Sequence, residues 1–300
     1  MLETEIAGLG LKNPTILASG IMGSTGSSLK RIAVEGGAGA LVTKSVGIEA
    51  RGGHENPTVI EVPGGLLNAI GLSNPGVFEF EAEITGAKEG GVPVIASVFG
   101  FQVEEFVEVA AKLQEYGADA IELNLSCPNV KKAGTVFGKS PKLSRSVVEN
   151  VKSRVSVPVI AKLTANTDDI VEVARACVEG GCDAITAINT IPAMKIDIHT
   201  RTPVLGNKTG GLSGPSIKPI ALKCVYDIKK ELDIPVIGCG GIATGEDALE
   251  FLMAGASAVE IGTAVRLRGI GVFGRVAGEI EAFMKENGYK SLNDVIGAAL

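Results

Sequence analysis

This chain writes one strand three times. Val92-Pro-Val-Ile-Ala, Val157-Pro-Val-Ile-Ala and Ile234-Pro-Val-Ile-Gly share a single pattern. Each leads through an amphipathic helical stretch to a second signature: Gly117-Ala-Asp-Ala-Ile, Gly181-Cys-Asp-Ala-Ile or Gly255-Ala-Ser-Ala-Val, with Gly39-Ala-Leu-Val a looser fourth. A glycine in that place can end a helix in the left-handed conformation, and the apolar run behind it enters a sheet. Short Val/Ile/Ala-rich runs fall near 15–19, 40–45, 93–98, 120–126, 157–163, 184–189, 234–239 and 258–263. They are continuous rather than alternating, so both faces of each strand are covered, as in a parallel sheet. Eight such strands alternating with helices over about 250 residues match a closed (β/α)8 barrel. A doubly wound sheet is the competing arrangement, but no Gly-x-Gly-x-x-Gly fingerprint follows the first run. The expected architecture is an α/β TIM barrel, one domain over residues 1–300.

In such a barrel the functional groups sit at the carboxyl ends of the strands. The long segments follow Ser45, Cys127 and Asn189, after strands 2, 4 and 6, and shorter ones follow Val98, Leu163 and Gly241. The long ones carry Asn68-Ala-Ile-Gly-Leu, Lys131-Lys-Ala-Gly-Thr and Gly210-Gly-Leu-Ser-Gly. Segments of this kind fold over a ligand and exclude water.

Composition removes several other classes. With 45% apolar and 21% charged residues the chain is globular rather than disordered. A net charge of −6 is no nucleic-acid footprint. The amino terminus lacks a basic stretch followed by an apolar one, and no apolar run approaches the ~18 residues of a membrane span. No membrane association is expected, and the cytoplasm is the expected compartment. The five cysteines, at 127, 177, 182, 224 and 239, include no Cys-x-x-Cys pair. No disulfide framework, metal site or iron–sulfur cradle follows from those spacings. Cys177, Cys182, Cys224 and Cys239 read as core residues. His54 and His199 lie in loop-like segments away from strand ends, which argues against a Ser-His-Asp hydrolase.

The strand ends carry the chemistry. Glu122 to Asn129 reads Glu-Leu-Asn-Leu-Ser-Cys-Pro-Asn. Pro128 stops the strand ladder, leaving Cys127 beside hydrogen-bonding side chains at the mouth of the sheet. A lone cysteine there is ordinarily a small buried hydrophobe. The flanking amides and the matching polar strand ends elsewhere make Cys127 the catalytic candidate. Lys44 ends the second run, Asn124 the fourth, Lys162 the fifth and Asn189 the sixth. A lysine in an apolar strand is costly unless it meets an anion or a hydrogen-bonding ligand. The ordinary alternative is an outward snorkelling chain or a structural ion pair. Strand parity points these residues inward above Val42, Ile160 and Ala187. Glu122 shares the parity of Asn124 and reads only as a polar contact lower in the barrel. Strands 7 and 8 end in Gly238-Cys-Gly-Gly-Ile and Gly262-Thr-Ala, whose backbone N–H groups suit a phosphate. A phosphate beside polar strand ends asks for a phosphorylated cofactor, with FMN the obvious candidate.

Taken together these segments resemble the class 1 dihydroorotate dehydrogenases. Asn68-Ala-Ile-Gly-Leu, Asn124-Leu-Ser-Cys-Pro-Asn129, Asn189-Thr190, Thr209-Gly-Gly-Leu-Ser-Gly-Pro215 and Gly238 to Ile242 carry the likeness, which runs essentially from Leu2 to the C-terminus. Gly134 and Phe137-Gly138 are more similar to the NAD-linked class 1B subgroup than to the fumarate-linked class 1A type. The resemblance implies FMN contacts at Ser19, Lys44, Ser45, Ser97, Asn124, Lys162, Ile188, Gly214, Gly240, Gly241, Gly262 and Thr263. It implies dihydroorotate contacts at Lys44, Asn68, Ala69, Ile70, Gly71, Leu72, Asn124, Asn129, Asn189 and Thr190. Cys127 matches the catalytic base, with Lys44 assigned to the same chemistry. Ser97 departs from the usual pattern, which has asparagine near the flavin.

The implied reaction is oxidation of dihydroorotate to orotate in pyrimidine (UMP) biosynthesis. Cys127, as thiolate, removes the C5 proton while a hydride leaves C6 for flavin N5, and Lys162 stabilises the charge of the reduced ring. This chain has no dinucleotide fingerprint or cluster-binding cysteines. The resemblance therefore implies that electrons reach NAD through a partner subunit carrying FAD and an iron–sulfur cluster, on a homodimeric core that makes a heterotetramer. Three other readings compete. A related FMN barrel acting on dihydropyrimidines shares the Asn-Leu-Ser-Cys-Pro segment. A non-redox isomerase or aldolase uses Lys44 or Lys162. A non-catalytic scaffold leaves the polar strand ends as stability losses without return.

Overall fold

A short antiparallel hairpin comes first, β1 (Thr4–Ile6) and β2 (Leu9–Leu11), turned by Ala7 and Gly8 at positive φ. This computed structural model describes residues 1–22, 25–125 and 137–300. Next come β3 (Thr15–Leu17), β4 (Ala40–Val42), β5 (Val59–Val62) and β6 (Gly65–Asn68). They are followed by β7 (Val94–Val98), β8 (Ala120–Asn124), β9 (Val159–Leu163) and β10 (Ala184–Ala187). The chain then makes β11 (Ile191–Ala193), β12 (Ile196–Asp197), β13 (Thr202–Pro203) and β14 (Gly210–Ser213), and returns with β15 (Val236–Cys239) and β16 (Ala258–Ile261).

Eight of these strands close a parallel barrel in the order β3, β4, β7, β8, β9, β10, β15, β16, with β16 pairing back onto β3. They are the eight apolar runs expected from sequence, and the TIM barrel is the observed fold. Helices form the outer layer, among them Val103–Glu115, Pro141–Lys152, Ile170–Glu179 and Gly245–Met253. Their starts are set locally. The Asp169 carboxylate accepts from the N–H groups of Val171 and Glu172, and Thr244 forms a capping box with Asp247. Such caps contribute about 1 kcal/mol each. Strand residues of one parity, such as Ile121, Leu123, Ala161 and Leu163, pack outward with Phe106, Val147 and Val151 of the helices.

Residues of the other parity fill the barrel. Ile16, Ala40, Val42, Ile95, Ala120, Ile160, Ala184, Ile237 and Ala258 form an apolar plug, closed from below by Ile6 and Leu11 of the hairpin. Above it the interior turns polar, with Ser97, Glu122, Lys162, Thr186 and Glu260 all buried. The parity expectation fails at one strand. Ala187 belongs to the outer core and Thr186 is the inward residue of β10, so Asn189 is placed by the chain beyond the strand.

The segments after β4 and β10 are not loops alone. They meet in a four-stranded antiparallel sheet, ordered β11, β14, β6, β5, over the carboxyl ends of the barrel strands. Asn68 pairs with Gly211, and a small cluster of Leu67, Ala69 and Leu205 fills the sheet from within. Glycine is required at Gly65, where any side chain would overlap the Ser213 carbonyl of the neighbouring strand. Among the described residues no helix is long and apolar enough to cross a membrane.

Candidate active site

Between this lid and the barrel mouth lies a cavity. Ser19, Lys44, Ser45, Asn124 and Lys162 reach it from the barrel strands or the residues just beyond them. Asn68, Ile70, Gly71 and Leu72 line it from the lid side, and Ile188, Asn189 and Thr190 from the stretch after β10. Gly214, Gly240, Gly241, Gly262 and Thr263 form its far end. Two expected contacts are elsewhere. Ala69 is fully buried in the lid cluster, and Ser97 lies wholly inside the barrel, away from the cavity wall. Cys127 and Asn129 lie outside the described residues.

Ser97 is connected to the cavity through other side chains. Its hydroxyl lies 2.9 Å from that of Ser45, which is 3.3 Å from that of Ser19. Ser19 donates to the Thr43 carbonyl at 2.8 Å, and Asn124 donates its amide to Ser45 at 3.1 Å. Each hydroxyl has one proton to give. The direction that uses every proton runs from Ser97 to Ser45 to Ser19 to the Thr43 carbonyl. Asn189 in turn donates to the Asn124 Oδ1 at 3.2 Å, and the Thr190 N–H donates to the Asn189 Oδ1 at 2.7 Å. Two of the strand-end amides and three serines therefore form one network with defined donors and acceptors.

The glycine end has a different character. Gly214, Gly240 and Gly241 adopt φ of 104°, 137° and 79°, which side chains rarely allow. A Cβ at Gly214 would press on Gly65 and Gly64, and one at Gly241 on Lys218 and the Gly214 carbonyl. Among the described residues no protein acceptor meets the N–H groups of Gly240, Gly241, Gly262 or Thr263. A cluster of backbone donors without protein acceptors fits a bound anion.

Below the cavity is an ion cluster. Lys162 Nζ lies 2.5 Å from Glu260 and 3.4 Å from Glu122, while Thr186 donates to Glu122 at 3.2 Å. β9 and β16 are separated in the ring by β10 and β15, so the Lys162–Glu260 pair crosses the barrel interior. Burial alone would discharge the ammonium, but the charges of Glu122 and Glu260 outweigh it and hold Lys162 above the usual lysine range. Burial, reinforced by repulsion from Glu260, pushes the Glu122 carboxyl up to about 8. Glu260 lines the cavity, and among the described residues no hydrogen-bond partner meets its buried carboxylate oxygen Oε1.

Sequence reading missed Glu260 and Cys239. Cys239 was expected in the core, yet it faces the cavity beside Glu260, and burial pushes its thiol well above the ordinary range. His54 packs behind the lid loop: its N–H donates to the Ile70 carbonyl at 3.1 Å and its ring lies against Gly71. The only sequence signal for Glu260 was an acidic residue inside the apolar run Ala258 to Ile261.

A family model described as dihydroorotate dehydrogenase matches residues 1–284. The chain is 54% identical over 298 residues to the dihydroorotate dehydrogenase B (NAD(+)) catalytic subunit of Methanocella arvoryzae, covering 99% of this chain and 97% of that protein. It is 51% identical over 303 residues to the protein of the same name from Methanocaldococcus jannaschii, covering 100% and 98%. Against that of Pyrococcus abyssi it is 52% identical over 300 residues, covering 100% and 99%.

Proposed function

Because this chain belongs to the dihydroorotate dehydrogenase family, we propose that it oxidises dihydroorotate to orotate in pyrimidine biosynthesis, as a single-domain FMN-binding barrel of the NAD-linked type. The observation that carries this reading is one cavity with two unlike sets of groups. Lys44, Asn68, Asn124 and Asn189 line it, and so do glycine N–H donors at the ends of the last two barrel strands. A substrate with a carboxylate and amide edges suits the first set, and a phosphate suits the second.

FMN, when bound, supplies the acceptor for the hydride that leaves C6. Gly240, Gly241, Gly262 and Thr263, which line the cavity, would hold its phosphate, and Ser19, Ser45, Asn124, Lys162, Ile188 and Gly214 would face its ring. Lys44 brings a cation to the substrate carboxylate. Asn68, Asn124 and Asn189 read the N–H and C=O edges of the ring, since an amide side chain both donates and accepts. The Asn124 amide is already oriented by Ser45 and Asn189, so it meets the substrate with its rotamer set. Ile70 and Leu72, from the lid side, keep water off the substrate. Cys127, as thiolate, takes the proton from C5. An ordinary thiol ionises near ~8.5, so the rate of this half-reaction rises with pH unless the site lowers that value. Cys127→Ser is expected to be slow rather than dead, and Cys127→Ala to lose the step, read by stopped-flow bleaching of the flavin.

A second subunit carrying FAD and an iron–sulfur cluster, on a homodimeric core in a soluble cytoplasmic heterotetramer, would pass the electrons on to NAD. The relatives are named as catalytic subunits, which supports a partner. The test is anaerobic addition of dihydroorotate to the purified yellow chain. Bleaching with orotate formed supports the reading. Yellow protein that is reduced by dihydrouracil instead, or colourless protein that takes up no added FMN, overturns it. Fumarate-driven turnover by the chain alone would overturn the NAD-linked assignment.

A further inference from the structure

The polar layer beneath the cavity holds more acids than bases. Glu122 comes from β8, Lys162 from β9, Thr186 from β10, Cys239 from β15 and Glu260 from β16. Among the described residues β3 and β4 bring Ile16 and Val42 of the apolar plug against this layer, and Ser97 of β7 is turned to Ser45. Both glutamates and Lys162 are buried. Two ionised carboxylates with one ammonium would leave a net negative charge in the interior, which burial strongly disfavours.

We propose that Glu122 and Glu260 are positioning residues that hold Lys162 and share one proton between them, so that the cavity floor is neutral at rest and exchanges one proton with solvent as the charge above it changes. The geometry assigns the parts. Glu260, 2.5 Å from the ammonium, is its ionised partner, and Glu122, at 3.4 Å, carries the proton. Among the described residues Glu260 Oε1 is a buried acceptor with no hydrogen-bond partner; a protonated Glu122 supplies a donor beside it, and the Cys239 thiol is the other neighbouring group. The upward displacement of Glu122 agrees with that division.

The floor then has two states. Below a pH of about 8 the cluster holds one ammonium, one carboxylate and one carboxylic acid, and is neutral. Above it Glu122 ionises and the floor becomes negative. New negative charge over Lys162 then draws a proton from solvent back onto the pair. No bond other than this O–H forms, and the electrons come from dihydroorotate or added dithionite.

This inference rests on the proposed function, and its test separates the two. The midpoint potential of the FMN-loaded protein is measured spectroelectrochemically from pH 6 to 10, with FMN affinity of the stripped protein followed over the same range. In wild type the two-electron reduction is expected to take up one more proton above pH 8 than below it, seen as a steepening of the slope. Glu122→Gln and Glu260→Gln should each lose the steepening, because each leaves a single carboxyl to pair with Lys162. Thr186→Val keeps both carboxylates and removes a donor that favours ionised Glu122. It should move the break to higher pH without abolishing it, and it serves if a glutamine variant does not fold. A wild-type slope with no break, or a break unchanged in Glu122→Gln, overturns the proposal. If the protein binds no FMN, the dehydrogenase reading fails instead.

Discussion

Ser97 is fully buried, yet its hydroxyl stands two hydrogen bonds from the Asn124 amide at the cavity. The family pattern suggested a direct flavin neighbour at this place, and the structure joins Ser97 to the cavity through Ser45. Its effect passes through Ser45. Ser97→Ala should lower stability by about 1 kcal/mol, the usual loss for a buried hydroxyl pair. It should also raise the KM for dihydroorotate severalfold with kcat nearly unchanged, because Asn124 loses part of its orientation. Denaturant titration and steady-state kinetics check the two parts, and a large fall in kcat would instead place Ser97 at the chemistry. Other residues of the site were legible for a simple reason. Lys44, Asn124, Lys162 and Asn189 are polar groups interrupting or ending apolar runs, and an isolated chain segment reveals that. Glu260 interrupts a run in the same way, but its partner lies across the barrel, 98 residues away. Nothing local distinguishes a tuning carboxylate from a stray one.

At the level of elements, the barrel was readable and the lid was not. Parallel strands covered on both faces leave continuous apolar runs, and the helices between them leave amphipathic ones. The lid strands have neither. Gly211 faces Asn68 across 143 residues, and the four strands are only three or four residues long. Their pairing exists only once the barrel has brought the two loops together. Glycine is also what lets the lid come close, since a Cβ at Gly211 would overlap the side chain of Thr190. Gly211→Ala is therefore expected to displace the lid from Thr190 and weaken dihydroorotate binding about tenfold, equivalent to ~1.4 kcal/mol. The barrel ladder is untouched, so the melting temperature should barely move. Equilibrium titration of the flavin spectrum with substrate or product analogues measures the first, and calorimetry the second. Unchanged affinity would mean that the lid does not bear on the substrate.

Across the whole molecule, one buried acid and one half-buried acid give stability opposite slopes with pH. Glu122 is protonated in both folded and unfolded chains below 4.5. Between there and about 8 only the unfolded chain is ionised, so stability falls as pH rises through that window. Glu122→Gln cannot ionise, and its melting temperature should gain on wild type by several degrees between pH 5 and 8. A constant difference across that range would refute the assignment. Asp247 slopes the other way. Burial alone would raise it, but the Lys218 ammonium and the N–H groups of Ala243 and Thr244 hold it below the usual range. Its contribution is present at neutral pH and is lost as the pH falls below about 4, so Asp247→Asn should flatten acid unfolding. The ring itself is closed by the pairing of β16 with β3, and the first and last parts are stitched together nearby. The Val259 N–H donates to the Pro14 carbonyl at 2.8 Å, and the Thr4 hydroxyl to that of Ser257 at 3.0 Å. On a ribosome adding 5–20 residues per second, the strand that closes the ring follows the hairpin by roughly 12–50 s. For that interval Ile6 and Leu11 have no barrel to enter, and a segment made long before the ring closes is among the last to be sheltered from water.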